Sequence, residues 1–227
     1  MRPDVSILIV AYECRDELAA CLRSIERSRG SVPVEVVVTD NASTDGTVEL
    51  LRSQFPDVRL VALPENVGFA RGVNRAAAVA SGEYLLLLNP DTVVHDDSGL
   101  ERLLAFARGN PQYGLYGGRT LWPDGTLCPG SVWGAPSFWS HACFAFLLSS
   151  AFKGSRVFDP DSLGGWRRDS VRRVGVVTGC LLLVSRADWD ALGGFDERFF
   201  MYGEDVDLSL RAARAGRPPV LVPSIEI

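Results

Sequence analysis

No two of the five cysteines, Cys14, Cys21, Cys128, Cys143 and Cys180, stand at C-x-x-C spacing, and their number is odd. Zinc knuckles and disulfide frameworks both need paired cysteines, so these read as reduced thiols of a cytoplasmic protein. Positive charge is also short: 23 Lys and Arg against 28 Asp and Glu leave a net charge of −5. That is the wrong sign for a phosphate-backbone binder, and no nucleic-acid partner is expected. Lysine is nearly missing, Lys153 being the only one; GC-rich coding accounts for that without a functional cause. No apolar run reaches the roughly 18 to 20 residues of a membrane-spanning helix. The opening MRPDVSILIV lacks the layout of a signal peptide. There is no internal repeat and no low-complexity linker.

What remains is an ordinary globular composition, 47% hydrophobic and 22% charged over 227 residues, enough for one large domain or two small ones. Val5–Ala11 (VSILIVA), Val34–Thr39 (VEVVVT), Val58–Ala62 and Tyr84–Leu88 read as strands. Asp16–Arg27, Thr47–Gln54 and Ala70–Ala80 lie between them as helices. Strand and helix alternating four times imply parallel strands with right-handed crossovers. No G-x-G-x-x-G follows the first strand, which weakens a dinucleotide-cofactor reading. The second half is less regular. Gly99–Arg108, Arg186–Leu192 and Gly203–Ala215 read as helices. Gly114–Gly118, Arg119–Leu127 with a Pro-Asp-Gly hairpin turn, two runs within Val174–Ser185, and Pro219–Val222 read as strands.

The stretch YLLLLNPDT, Tyr84–Thr92, carries the chemistry. A short apolar run ended by turn residues fits a strand buried on both faces. Pro90 cannot donate to a ladder, so the strand stops before it. Asp91 then stands at the carboxyl end of a central strand, where open α/β sheets place ligands. Either it caps the turn, or it holds a hard cation, Mg²⁺ or Mn²⁺, together with substrate phosphates. Tyr12 and Asp40 follow two other strands, which would gather them on the same sheet edge. In GGFDERFFMYGEDVDLSLR, Gly193–Arg211, Glu204 and Asp205 fall in a helix first turn. Acids there suit the helix dipole; the sharper alternative is a positioned general base. Asp207 and Arg211 have i, i+4 ion-pair spacing.

Five stretches, SILIVAYE, VVTDNASTDGT, ENVGFARGVN, LLLNPDT and the Gly193–Arg211 segment, together resemble the inverting family-2 glycosyltransferases, especially their rhamnosyltransferase-like branch. The resemblance covers nearly the whole chain. It implies a GT-A fold, a Rossmann-like, mostly parallel mixed α/β sheet flanked by helices. It implies one catalytic domain over 1–227, with 1–118 binding the nucleotide-sugar and 119–227 the acceptor. By position, Asp40 resembles the carboxylate that accepts from the ring N–H of uracil or thymine. Tyr12 resembles the residue beside that base, and Arg71 a base or ribose contact. Asn89-Pro90-Asp91 resembles the family's Asp-x-Asp motif with its first acid replaced, which leaves Asn89 beside the nucleotide and Asp91 as the metal ligand. Asp205 resembles the catalytic base, with Glu204 and Trp122 as acceptor contacts.

The implied reaction moves a sugar from a nucleotide-diphosphate donor, dTDP-rhamnose or a UDP-sugar, to a hydroxyl of a glycan or lipid-linked acceptor, as in polysaccharide or cell-wall synthesis. Two rivals stand beside it. A sugar nucleotidyltransferase would show a glycine-rich basic loop after the first strand, where AYECRD stands instead. A nucleotide-sugar-binding scaffold would follow from truncation, because family members continue past the last strand into a histidine-containing segment and this chain stops at Ile227. His95 and His141 match no family ligand. Pro136–Lys153 reads as a plain buried helix, with a lid, an acceptor wall or an interfacial anchor as alternatives. The basic WRRDSVRR, Trp166–Arg173, is either a solvated face or a peripheral contact with the inner face of a membrane.

Overall fold

The computed structural model describes residues 2–227. Its first part alternates as β1 (Val5–Ala11), α1 (Arg15–Ser28), β2 (Val34–Asp40), α2 (Thr47–Gln54), β3 (Arg59–Ala62), α3 (Phe69–Val79) and β4 (Tyr84–Leu88). Then come α4 (Gly99–Gly109), β5 (Leu115–Leu121), β6 (Leu127–Cys128), β7 (Val132–Trp133), α5 (Phe138–Ala145) and α6 (Leu148–Ala151). The chain closes with β8 (Arg172–Arg173), β9 (Val176–Val177), β10 (Leu181–Ser185), α7 (Arg186–Leu192), α8 (Glu204–Arg214) and β11 (Pro219–Glu226). One sheet runs β3-β2-β1-β4-β10-β5-β11-β8, with β6 attached to β5. The first four strands are parallel, β10 is antiparallel to both neighbours, and β11 is parallel to β5. Hence β1, β2, β4, β5 and β11 all deliver their carboxyl ends to one edge of the sheet.

The central strands are mostly apolar because both faces are covered. Along β1, Val5, Ile7, Ile9 and Ala11 meet α1 and α4 through Leu18, Leu22, Ile25, Leu100, Leu103 and Leu104. Leu8 and Val10 face the opposite layer, where α3 presents Ala70, Val73, Ala76 and Ala77. Leu85 and Leu87 of β4 belong to that second layer, together with Trp189, Phe195, Leu208 and Ala212. Burying a leucine contributes roughly 1.5–3 kcal/mol, so the side-chain period of two fixes which way every strand faces. The small residues of α3 let it lie close to the sheet, and a Cβ on Gly72 would strike Val10.

Three expectations are corrected here. Gly114–Gly118 and Arg119–Leu127 are not two strands. One strand continues to Leu121, the expected Pro-Asp-Gly hairpin turn follows (Gly125 N–H to Trp122 C=O, 2.8 Å), and only Leu127–Cys128 returns. The last strand runs on to Glu226, because β5 remains beside it to pair with. Pro136–Lys153 is not a buried helix. It breaks at Leu147, which adopts φ +59°, into two short helices whose phenylalanines face outward. Among the described residues no helix is long and apolar enough to cross a membrane.

The loop after α7 is locked onto α3. Asn74 accepts from the Phe195 N–H (3.0 Å) and donates to the Phe195 carbonyl (2.9 Å), and the Phe69 N–H donates to the Phe200 carbonyl (2.7 Å). Gly68 makes this approach possible. Its φ of +86° and ψ of 175° lie in a region open essentially to glycine alone, and a Cβ there would meet the Phe200 carbonyl. Gly68→Ala is expected to lose on the order of 1–3 kcal/mol from backbone strain, read as a lower urea midpoint. An unchanged midpoint would show that the loop does not depend on this contact.

Candidate active site

At the carboxyl edge of the sheet, the loops after β1 and β2 brace one another. The Glu13 carboxylate accepts from the Thr44 N–H (2.8 Å) and hydroxyl (3.1 Å), and the Glu13 N–H donates to the Ser43 hydroxyl (3.1 Å). Arg15 N–H donates to Asp45 (2.9 Å). Glu13 (φ +50°) and Ala42 (φ +63°) both hold left-handed backbone, a conformation that costs energy in non-glycine residues and concentrates at functional sites. Asp40 sits beneath this brace, 1% exposed. Its Oδ2 accepts from the Ser43 N–H (3.0 Å), while Oδ1 has no partner. A buried carboxylate oxygen without a donor is costly, and Asp40 Oδ1 at the end of β2 is one. Tyr12, one residue past β1, is half exposed.

β4 ends as expected. Pro90 and Asp91 lie beyond Leu88, and the Asn89 carbonyl accepts from the Thr92 N–H (3.3 Å) and hydroxyl (2.7 Å). Asp91 is exposed. The Asn89 N–H reaches across to the Cys180 carbonyl (3.2 Å). One residue earlier, the Gly179 N–H donates to Asp205 Oδ2 (3.2 Å). The start of β10 therefore links the end of β4 to the first turn of α8. The Val206 N–H holds the other oxygen of Asp205 (2.8 Å). Burial pushes the Asp205 carboxyl above its usual range, against the lowering effect of these N–H groups. Glu204 is buried, with Oε2 unpartnered; burial, and then the charge of Asp205, raise it too. Asp207 turns away to pair with Arg211 (2.8 Å), whose other nitrogens hold the Leu192 and Gly194 carbonyls.

The edge thus gathers Tyr12, Asp40, Asn89, Asp91, Glu204 and Asp205. Trp122 follows β5 in the hairpin turn and is exposed, while Thr120 of that strand is 3.8 Å from the Cys180 sulfur. Arg71 stands in the first turn of α3, half exposed and beside Glu197 (3.6 Å). Sequence reading missed two residues here, Glu13, which forms the brace, and Asn41. Asn41 is buried, donates to the Gly68 carbonyl (3.2 Å) and leaves Oδ1 unpaired. Both sit in stretches already legible as strand ends; the turn signal NASTDG hid the inward-facing amide. A depression of about 290 Å³ lies at the opposite edge, by Asp4, Pro33, Leu104 and Arg108. Its arginine is already paired with Asp4 and Glu83.

For a divalent cation the donor set is decisive. Among the described residues no three His, Cys, Asp or Glu side chains converge. Asp91 offers one carboxylate with open space around it. That fits a hard ion completed by phosphate oxygens and water, and it does not fit an ion caged by the protein alone.

Comparison with known proteins bears on the family and the fold. The family model described as Glycosyl transferase family 2 matches residues 6–175. The N-acetylglucosaminyl-diphospho-decaprenol L-rhamnosyltransferase of Mycobacterium tuberculosis is 35% identical over 240 residues, covering 97% of this chain and 74% of that protein. Among solved structures, the mannosyltransferase PcManGT of Pyrobaculum calidifontis, in complex with GDP-Man and Mn²⁺, superposes with a TM-score of 0.66. It has 20% identity over 100% of this chain and 57% of its own. TarS 1-349 of S. aureus gives 0.67, with 16% identity over 98% of this chain and 60% of its own. The chain thus spans less than two thirds of those two solved chains, which share its mixed-sheet GT-A fold.

Proposed function

The chain belongs to glycosyl transferase family 2, and on that premise we propose that it transfers a sugar, rhamnose before others, from a nucleotide-diphosphate donor to a hydroxyl of a glycan or lipid-linked acceptor, inverting the anomeric centre. One observation carries the reading: Asp40, with its orphaned oxygen, Asp91 and Asp205 lie along one sheet edge at the carboxyl ends of β2 and β4 and the start of β10. The choice of rhamnose follows the relative from M. tuberculosis.

Each residue has a task. Asp40 Oδ1 accepts the N3–H of uracil or thymine, and Tyr12 lies beside the ring. Asp91 would hold Mg²⁺ or Mn²⁺ together with the donor diphosphate, and such an ion would supply positive charge to the leaving group. Asp205 removes the proton from the acceptor hydroxyl. Glu204 and Trp122 bound the acceptor side. The new bond joins the acceptor oxygen to the anomeric carbon, the bond from that carbon to the diphosphate oxygen breaks, and the proton stays on Asp205. Donor and base act from opposite faces, so one displacement inverts the centre.

Product analysis with dTDP-rhamnose and UDP-sugars, beside binding of UDP, dTDP and CDP, tests this. Cytosine N3 is an acceptor and would leave Asp40 unpaired, at a cost of about 1–3 kcal/mol. CDP should therefore bind weaker by on the order of tenfold or more. Equal affinity for the three would remove Asp40 from the base site. Absence of transfer from every donor would overturn the reading.

A further inference from the structure

The segment between β7 and β8 carries the largest cluster of exposed aromatic residues on the chain. Phe138 is 92% exposed, Phe144 75%, Phe146 77% and Leu147 68%. Its fold is nevertheless definite. Ser137 opens α5 with a reciprocal capping box to Ser140. Behind α5, Trp139 donates to the Val157 carbonyl (2.7 Å), Cys143 is buried, and Phe158 packs against Trp139 and Phe152. Leu147, at φ +59°, reverses the chain so that Phe144, Phe146 and Leu147 cluster about a tip between α5 and α6. This is a helical knuckle with an anchored inner face and an apolar outer one.

Charge says what covers it. Residues 138–173 hold six cations, Lys153, Arg156, Arg167, Arg168, Arg172 and Arg173, against three carboxylates, Asp159, Asp161 and Asp169, in a chain whose net charge is −5. Arg168 is turned inward onto the Pro129 and Val132 carbonyls. The other five are exposed, and among the described residues none of them pairs with a carboxylate. Gly154 lies next to Gly165, and the Arg156 side chain lies over Gly164, which brings the backbone bearing Lys153, Arg156 and Arg167 together beside the knuckle. Exposed aromatics with a cationic rim complement a bilayer interface carrying anionic headgroups. The stem of the segment is also placed for this: β7 pairs with β9, and the Thr178 N–H donates to the Ser131 carbonyl (3.2 Å), one residue from the Gly179 that holds Asp205.

We propose that residues 138–152, with Lys153, Arg156 and Arg167, dock this chain on an anionic lipid bilayer, the aromatic tip entering the interface beside the end of the sheet that bears Asp205. The proposal goes beyond glycosyl transfer and is tested without donor or acceptor, so either reading can fail alone. The experiment is sedimentation with phosphatidylcholine vesicles, with and without phosphatidylglycerol. It compares the parent chain, the triple variant Phe144→Ser, Phe146→Ser, Leu147→Ser, and the triple variant Lys153→Glu, Arg156→Glu, Arg167→Glu. The parent is expected to bind the anionic vesicles, and each variant to lose on the order of tenfold or more in partitioning, with the parent's affinity falling as salt rises. Because every substituted side chain is exposed, the melting temperatures should stay near the parent's, and circular dichroism checks this. Failure of the parent to bind anionic vesicles overturns the proposal, as does binding unaffected by the serine variant. Sedimentation velocity is run beside it. A concentration-dependent dimer abolished by the serines, in a chain that ignores vesicles, would assign the patch to a second copy and overturn the bilayer.

Discussion

Asp205→Asn is expected to lower single-turnover transfer by about 10² to 10⁴, the usual contribution of a general base, while donor affinity stays unchanged. Asparagine keeps the shape and one acceptor oxygen for the Gly179 or Val206 N–H, so α8 should still dock on the start of β10. What it loses is the capacity to take the acceptor's proton. The pH dependence follows from the environment. Burial raises the Asp205 carboxyl above its ordinary range. The active form is the ionised one, so the parent's rate should climb as pH rises through that raised value and flatten above it. The variant should show no such limb. The same sign governs stability. A carboxyl that binds its proton more tightly when folded makes stability fall as pH rises from the unfolded-state value to the folded one, so an ionised Asp205 costs stability at neutral pH and its replacement removes that cost. Asp207→Asn is the control. It breaks the bond to Arg211 and loosens the hold on the Leu192 and Gly194 carbonyls. A loss of up to about 1 kcal/mol in stability is expected, with turnover retained. Transfer at the parental rate by Asp205→Asn, or a dead Asp207→Asn, would mean that the base is another group.

The two kinds of information in this chain were unequally legible. β1, β2 and β4 read directly from sequence because strands covered on both faces are mostly apolar. The acids that end them were legible for the same reason: Asp40 and Asp91 stand where the apolar run stops. The junction that matters most was not. Gly179 and Asp205 are 26 residues apart, and nothing in the period of either segment says that one will donate to the other. That contact depends on β10 inserting antiparallel between β4 and β5, a tertiary choice. The Arg71 pair was hidden for a related reason: its head group is met by Glu197 from a loop more than a hundred residues downstream. The 138–152 stretch misled through composition. A run this apolar reads as core, and only its position outside the sheet layers leaves it uncovered.

Asp91→Ala is expected to abolish the Mn²⁺ dependence of nucleotide binding without touching the fold. Its side chain is exposed and makes no hydrogen bond or ion pair among the described residues, so the change in stability should stay within about 0.5 kcal/mol, as for surface positions generally. The effect on the ion should be large because there is no protein substitute. With one carboxylate and no converging acids, a divalent cation gains its remaining ligands from the diphosphate and water. Removing a supporting partner of a metal site typically costs 10–100-fold in affinity, and losing the one side-chain ligand should cost at least about that much. Titration calorimetry reads the result. In the parent, Mn²⁺ should strengthen UDP or dTDP binding, and Mn²⁺ alone should bind weakly. In Asp91→Ala, nucleotide affinity should be the same with and without the ion. Asn89→Asp supplies the converse: a second carboxylate at the end of β4 should let Mn²⁺ bind before the nucleotide arrives. An Asp91→Ala chain that keeps its full Mn²⁺ response would place the ion elsewhere on the sheet edge, and Glu204, buried with an unpartnered oxygen, would be the next carboxylate to remove.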